Sequence, residues 1–341
     1  MGKKRLYISV LLLVLFMFLS NVFNNVSAFN IPDRVINSVV FVMQEVEKDN
    51  KQEDIPVGSG FLIGVGTEKG SLFSYFVTAR HVVDQILSDG RKTLKLRFSR
   101  ANGESGVVIP FETDSYNGKQ CLEHKNKYVD LAVIPIGLFN NEKIKAAGVK
   151  WVMYTATSPT DKFFATADWI KIHEVTQGYK VFTVGLSQFI YNRAEKNLVL
   201  SRFGTISFLM EKEFDFSPPL NWGVQKVYFV DCPTFGGNSG GPVYVYSECS
   251  ECSGFDPETR VALLGIMTGF IPSELRKAYV EVPEKELTKT KEKELRKKVE
   301  VGLENTGIAR IVPVDYLIDI LFSDELKQAR ENAEKSIYDI K

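Results

Sequence analysis

The sequence has little histidine, little cysteine and no excess of charge. Its 341 residues include three histidines and four cysteines, and 42 Lys+Arg balance 42 Asp+Glu. A net charge near zero gives no electrostatic footprint for binding nucleic acid or an acidic membrane surface. Four cysteines are too few for a disulfide scaffold, so packing has to hold the fold together. Long apolar runs are also scarce. The one that stands out, Leu6 to Leu19, is shorter than the roughly 20 residues a helix needs to span a bilayer. No repeat is visible at the level of residue identity.

That apolar run has a cationic start in Lys3, Lys4 and Arg5, and small residues follow it at Val26-Ser27-Ala28. This is the layout of a cleaved secretory signal peptide, so residues 1–28 are set apart. The mature protein is expected to be exported, periplasmic or extracellular, with no stable membrane association.

What is abundant is glycine, aromatics and short β-branched runs between turn residues, the pattern of a mainly β protein. Ser38–Gln44, Ser59–Val65, Leu72–Thr78, Leu94–Phe98, Gly106–Phe111 and Val129–Ile136 read as one set of about six strands. A charged turn is expected over Glu45–Asp54. A second set comprises Lys180–Gly185, Leu198–Met210, Lys226–Val230, Pro242–Ser247, Val261–Gly269 and Gly307–Ile311. Two consecutive sets predict two tandem six-stranded antiparallel β-barrels, over residues 29–150 and 151–322. A Lys/Glu-rich stretch near 283–300 reads as an exposed charged insertion, with charges three and four apart that suit a solvated helix. Tyr316, Leu317, Ile320 and Leu321 share one helical face, and the tail 323–341 continues as helix.

The chemistry concentrates in Thr234-Phe235-Gly236-Gly237-Asn238-Ser239-Gly240-Gly241-Pro242. A serine in so glycine-rich a turn suits acyl transfer, where backbone N–H groups must converge on a developing oxyanion. Gly237 and Ser239 N–H are the expected donors. Serine needs a base. His81 follows the apolar strand ending at Thr78-Ala79-Arg80, where a fixed side chain can face a cleft. His124 lies in polar text and is expected to be exposed, and His173 lies near the link between the two strand sets. Asp130, in Val129-Asp130-Leu131-Ala132-Val133, is a carboxylate at the mouth of an apolar strand, where burial demands a partner. It suits the third role, orienting the histidine.

Chain order discriminates among folds. Gly237-x-Ser239-x-Gly241 also fits the nucleophile elbow of α/β-hydrolases, but there a histidine must follow the serine. None follows Ser239. The order His81, Asp130, Ser239 remains. With these blocks in place, Thr78-Ala79-Arg80-His81, Asp130-Leu131-Ala132 and Gly237-Asn238-Ser239-Gly240-Gly241-Pro242 resemble the signature motifs of trypsin-like serine proteases.

The Gly-Asn-Ser-Gly-Gly-Pro form is closest to bacterial Deg/HtrA-like protease domains, as are Leu264-Gly265-Ile266 and Gly307-Ile308-Ala309. The length after the helical tail leaves no room for the PDZ domain those proteases carry. The resemblance implies a serine endopeptidase working on protein or peptide substrates through a Ser-His-Asp triad and an acyl-enzyme, with no cofactor. The alternative is a latent enzyme or a non-catalytic binding module on the same fold. Asn238 stands where digestive members place an aspartate, so activation by a new N-terminal ammonium is not expected. The resemblance further implies a primary pocket with Pro233 at its floor and Thr268, Gly269 and Phe270 at its wall, which suits small or medium apolar residues. For Cys121, Cys232, Cys249 and Cys252, disulfides, free thiols and a zinc site joining Cys121-x-x-His124 to Cys249-x-x-Cys252 all remain open.

Overall fold

The computed structural model describes residues 29–88, 90–100, 106–112, 121–138, 146–149, 152–186, 197–217, 221–247, 255, 260–272 and 305–338. The leader 1–28, the insertion near 283–300 and the pair Cys249 and Cys252 lie outside them.

The first half is an eight-stranded sheet: β1 (Val39–Lys48), β2 (Lys51–Gly66), β3 (Leu72–Thr78), β4 (Thr93–Phe98), β5 (Val107–Glu112), β6 (Leu122–Glu123), β7 (Ala132–Leu138) and β8 (Tyr154–Ala156). The strand order is β5-β4-β1-β2-β3-β7-β6, with β8 added parallel to β2. The second half is a closed six-stranded barrel. It is built from β9 (Lys180–Leu186), β10 (Val199–Leu209), β13 (Tyr228–Asp231), β14 (Pro242–Tyr246), β15 (Val261–Pro272) and β16 (Asn305–Pro313), and a two-residue hairpin, β11 (Phe214–Asp215) with β12 (Val224–Gln225), sits outside it. The helices are α1 (Asp33–Asn37), α2 (Arg80–Leu87), α3 (Ala167–Ile172), α4 (Val314–Leu321) and α5 (Asp324–Tyr338).

The second predicted barrel therefore closes and the first does not. Closure of the first half would require the outer edges of β5 and β7 to pair. β7 instead gives that edge to β6, through Leu122↔Val133 and Glu123↔Ala132. The sheet still curls. Ile109 of β5 and Ile134 and Ile136 of β7 share one hydrophobic cluster with Leu94 and Leu96 of β4. Among the described residues the first half is thus a half-barrel.

The near-continuous apolar text of β1 to β3 has a physical cause: both faces of this sheet are buried. Side chains alternate along a strand. Val40, Val42, Leu62 and Phe76 point into the first half's own core, with Val82, Val83, Ile86 and Leu87 of α2. Phe41, Phe61, Ile63, Tyr75 and Val77 point the other way and join Phe182, Val184 and Tyr244 of the second half with Leu317 and Leu321 of α4. One continuous core therefore glues the halves together, and the second barrel holds its own interior around Tyr228, Val230 and Leu264.

Helix α4 buries Val314, Tyr316, Leu317, Ile320 and Leu321, as its apolar face predicts. Beyond it, α5 returns to the first half. Arg330 Nη1 donates to Tyr75 Oη (2.9 Å) and to Leu321 O (2.9 Å), and the Thr67 hydroxyl bonds Glu334. The charged turn expected at Glu45–Asp54 is instead ladder, paired through Lys48↔Lys51. Its turn is Asp49-Asn50 alone, both at positive φ (51° and 59°), residues that tolerate that region and suit a two-residue hairpin loop. Charge hid the strand, because a ribbon that projects into water needs no apolar alternation.

Candidate active site

His81 is the second residue of α2. Ala79, in extended backbone, turns the chain from β3 into the helix, whose apolar side anchors it to the first core. His81 therefore stands on a fixed first turn, with its ring about half exposed (46%). The expected strand end hides this helix, because Ala79 alone separates β3 from α2.

Asp130 sits between β6 and β7, flanked by the fully buried Val129 and Leu131. Its Oδ1 accepts from the His81 backbone N–H (3.0 Å), and its Oδ2 lies 2.8 Å from His81 Nδ1. A carboxylate bound at both the main chain and the ring fixes the imidazole's position, and its Nδ1–H tautomer leaves Nε2 as the base. A third donor arrives from the other half: Arg310 Nη2 of β16 lies 2.9 Å from the same Oδ2. Burial alone would push the Asp130 carboxyl up. The His81 hydrogen bond and the charges of His81 and Arg310 outweigh it, so the carboxyl titrates below the usual carboxylate range.

Ser239 is carried by the loop between β13 and β14. Two contacts tie it to β2 and, through β2, to the end of β3. The Ser59 N–H donates to Ser239 O (2.9 Å), and the Ser59 carbonyl in turn accepts from Thr78 Oγ1 (2.7 Å). Gly240, at φ +87°, packs so closely that a methyl there would fall on the Ser59 carbonyl, the Thr78 hydroxyl and the Ala79 N–H. The serine loop is thus seated on Ser59 of β2 and on Thr78 and Ala79, which lead into His81.

The turn before the serine has a defined type. Asn238 N–H donates to Phe235 O (3.1 Å), and Gly237 occupies the third position at φ +92°. A positive φ there is the mark of a type II turn, in which the middle peptide is flipped relative to type I. Among the described residues, Gly237 and Ser239 N–H take no backbone acceptor. The loop is pinned from beneath. Ser59 Oγ donates to Gly237 O (2.6 Å) and accepts from Leu186 N–H (2.8 Å). Asn238 Nδ2 donates to Leu186 O (2.7 Å), while its Oδ1 accepts from Phe235 N–H (2.9 Å). A neutral amide thereby orders the loop with no ion pair. Asn238 is conspicuous in the motif, whereas Ser59 sits in a plain Gly58-Ser59-Gly60 that carries no signal of its role.

Residues 58–248 match the trypsin-like peptidase domain. The chain belongs to the trypsin-like peptidase family. Among solved structures, this trypsin-like chain is similar to Deg5, at 18% identity over 69% of this chain and 80% of that one, with a TM-score of 0.36. It is also similar to the inactive form of the Rv3671c protease of M. tuberculosis H37Rv. There the identity is 13% over 86% of this chain and 96% of that one, with a TM-score of 0.38. A search of the curated proteins gives no match.

Pro233 is exposed, and its carbonyl accepts from Arg202 Nη1 (3.3 Å). Arg202 also stacks on Phe235, 4.1 Å from the ring centroid. Thr268 is buried and its hydroxyl is committed to Arg310 Nε (2.9 Å), while Gly269 and Phe270 pair with Arg310 and Ala309 along β16.

The other histidines are accounted for elsewhere. His124 is buried, contrary to the exposed position expected from its polar neighbours. Its Nε2 meets Asp319 Oδ2 (3.2 Å), its Nδ1 accepts from Asn126 N–H (3.0 Å), and its ring lies edge-on to Tyr316. The neighbouring charges misled the reading, because they point away while α4 covers the ring. His173 closes α3, with Nδ1 2.7 Å from Trp169 O.

Cys121 and Cys232 are free thiols. Burial pushes them up to about 12 and about 11, so neither is a ready thiolate nucleophile. Among the described residues no cluster of three or more His, Cys, Asp or Glu is arranged to hold a metal.

Proposed function

We propose that this chain is a serine endopeptidase, with Ser239 as nucleophile, His81 as general base and Asp130 orienting the histidine. The observation that carries the reading is the His81–Asp130 contact of 2.8 Å, set beside a serine loop held in a type II turn. His81 Nε2 takes the Ser239 Oγ proton as the oxygen attacks a peptide carbonyl. Gly237 and Ser239 N–H hold the oxyanion, and Asp130 stabilises the imidazolium. His81 then protonates the leaving amine, and water, activated by the same base, releases the acyl group from Ser239.

A non-catalytic or latent version of this fold would be marked by a missing triad partner or a collapsed oxyanion turn. Against that version count the His81–Asp130 contact, the serine loop docked on Ser59, and Gly237, which keeps the positive φ that such a collapse would lose. The Thr268 hydroxyl is committed to Arg310 Nε, and Pro233 offers no charge for a basic side chain. Both favour a small or medium apolar residue before the cut. Export after removal of residues 1–28 is part of the proposal and rests on the leader's composition.

The test is labelling of the mature protein with a fluorophosphonate probe. Covalent labelling that disappears in Ser239→Ala and in His81→Ala is the expected result. Absence of labelling in a folded wild type would overturn the endopeptidase reading in favour of the binding module. A peptide-library profile dominated by Lys or Arg would overturn the pocket assignment.

A further inference from the structure

Arg310 is a charged residue in the middle of an apolar strand, Ile308-Ala309-Arg310-Ile311-Val312. It is 9% exposed. A buried guanidinium is costly unless each part of it is paired. Nε donates to Thr268 Oγ1 (2.9 Å), and Nη2 donates to Thr268 O (3.2 Å) and Asp130 Oδ2 (2.9 Å). Trp222 covers it, with the guanidinium carbon 4.5 Å from the ring centroid. The arginine is therefore fixed on three sides, and its free direction is the carboxylate of the first half.

The oxygen it binds is the one that meets His81 Nδ1. A carboxylate held only by neutral donors gives its whole charge to the imidazole; one shared with a guanidinium gives less. Other charges surround the pair. Arg80 and Asp84 are on α2 itself, Glu123 is on β6 and Lys127 precedes Asp130. Arg80 lies 3.5 Å from Asp84 and 3.6 Å from Glu123, and donates to Lys127 O (2.7 Å). Two positive and two negative charges cancel there, which leaves Arg310 as the charge that biases the His81–Asp130 pair.

We propose that Arg310 is a positioning residue: from the opposite half it holds Asp130 in line with His81, and by sharing that carboxylate it moves the acid limb of activity to lower pH. The inference rests on the serine-protease reading above, with His81 as base.

The experiment compares wild type, Arg310→Met and Arg310→Lys by kcat and KM across pH. A second readout is the low-field proton NMR signal of the His81 Nδ1–H···Asp130 bond, recorded in a Ser239→Ala background where no turnover is needed. In R310M, kcat is expected to fall about tenfold to a hundredfold with KM little changed, the cost of a misplaced acid. Its acid limb is expected to move up by about one pH unit, the size of one nearby charge removed from a partly screened site. R310K, which keeps the charge and loses the planar fork, is expected to restore the limb while kcat stays reduced. The low-field signal is expected to shift or vanish in R310M and to persist in R310K.

An R310M enzyme with wild-type kcat and an unmoved limb overturns the proposal, and so does a low-field signal indifferent to both substitutions. If R310M does not fold, R310K decides alone, and unchanged kcat there overturns the positioning role. Failure of the underlying reading looks different: wild type would not react with the fluorophosphonate probe, while the NMR comparison would still report on Arg310.

Discussion

Three side chains and two N–H groups do the proposed chemistry, and each is separable by substitution. Ser239→Ala is expected to lower kcat by about six orders of magnitude, read in a burst-free peptide assay. Asp130→Asn should cost about four, because the wrong tautomer is then favoured at His81. Asp130 also links activity to stability. Its folded carboxyl titrates below its unfolded value of about 3.9. Its contribution is therefore complete above that value and is lost as pH falls through the folded one. Urea unfolding of wild type is expected to show stability falling below about pH 4, with a flatter profile for D130N in the same window. The pairing of His81 with Asp130 was legible because a carboxylate at the mouth of an apolar strand demands a partner. Arg310 was legible in principle as well: a cation inside an apolar strand demands a partner. What the sequence could not say is which partner, since 180 residues separate Arg310 from Asp130.

At the scale of elements, the serine loop and its seat stand or fall on two glycines. Gly237→Ala forces a side chain into positive φ, a strain of about 1–2 kcal/mol. The turn relieves it by flipping the Gly236–Gly237 peptide, so one oxyanion donor is lost. The expected outcome is a folded protein whose labelling rate by a fluorophosphonate drops about a hundredfold to a thousandfold. Gly240→Ala is different in kind. Its methyl has no space against Ser59, Thr78 and Ala79, and thermal unfolding of this variant is expected well below wild type, with labelling abolished.

Strand positions were read closely where apolar text coincided with burial on both faces, as in Leu72–Thr78, which the structure returns unchanged. In the charged ribbon of β1 and β2 solvent replaces the core, and the apolar signal of a strand is lost. It is lost again at Leu122 and Glu123, which pair with the edge of β7. A two-residue strand carries no periodicity to detect.

At the scale of the whole molecule, the last helix belongs to the second half by sequence and to the first by contact. Arg330 is buried and bonded to Tyr75 and Leu321. Arg330→Ala is expected to cost about 2–3 kcal/mol, the loss of two hydrogen bonds donated by a buried guanidinium. A lowered urea midpoint with an unchanged slope would record it. The core shared between the halves has the same logic, since neither sheet can satisfy that face alone. The Arg310–Asp130 bond carries a consequence in time. A ribosome makes the chain from its N-terminus, so His81 and Asp130 emerge long before Ser239, and β16 with Arg310 emerges after that. Until residue 310 is out, the acid lacks its cross-half clamp and the nucleophile loop lacks the finished barrel beneath it. On the serine-protease reading, a growing chain of this protein is therefore silent at least until residue 310 has emerged.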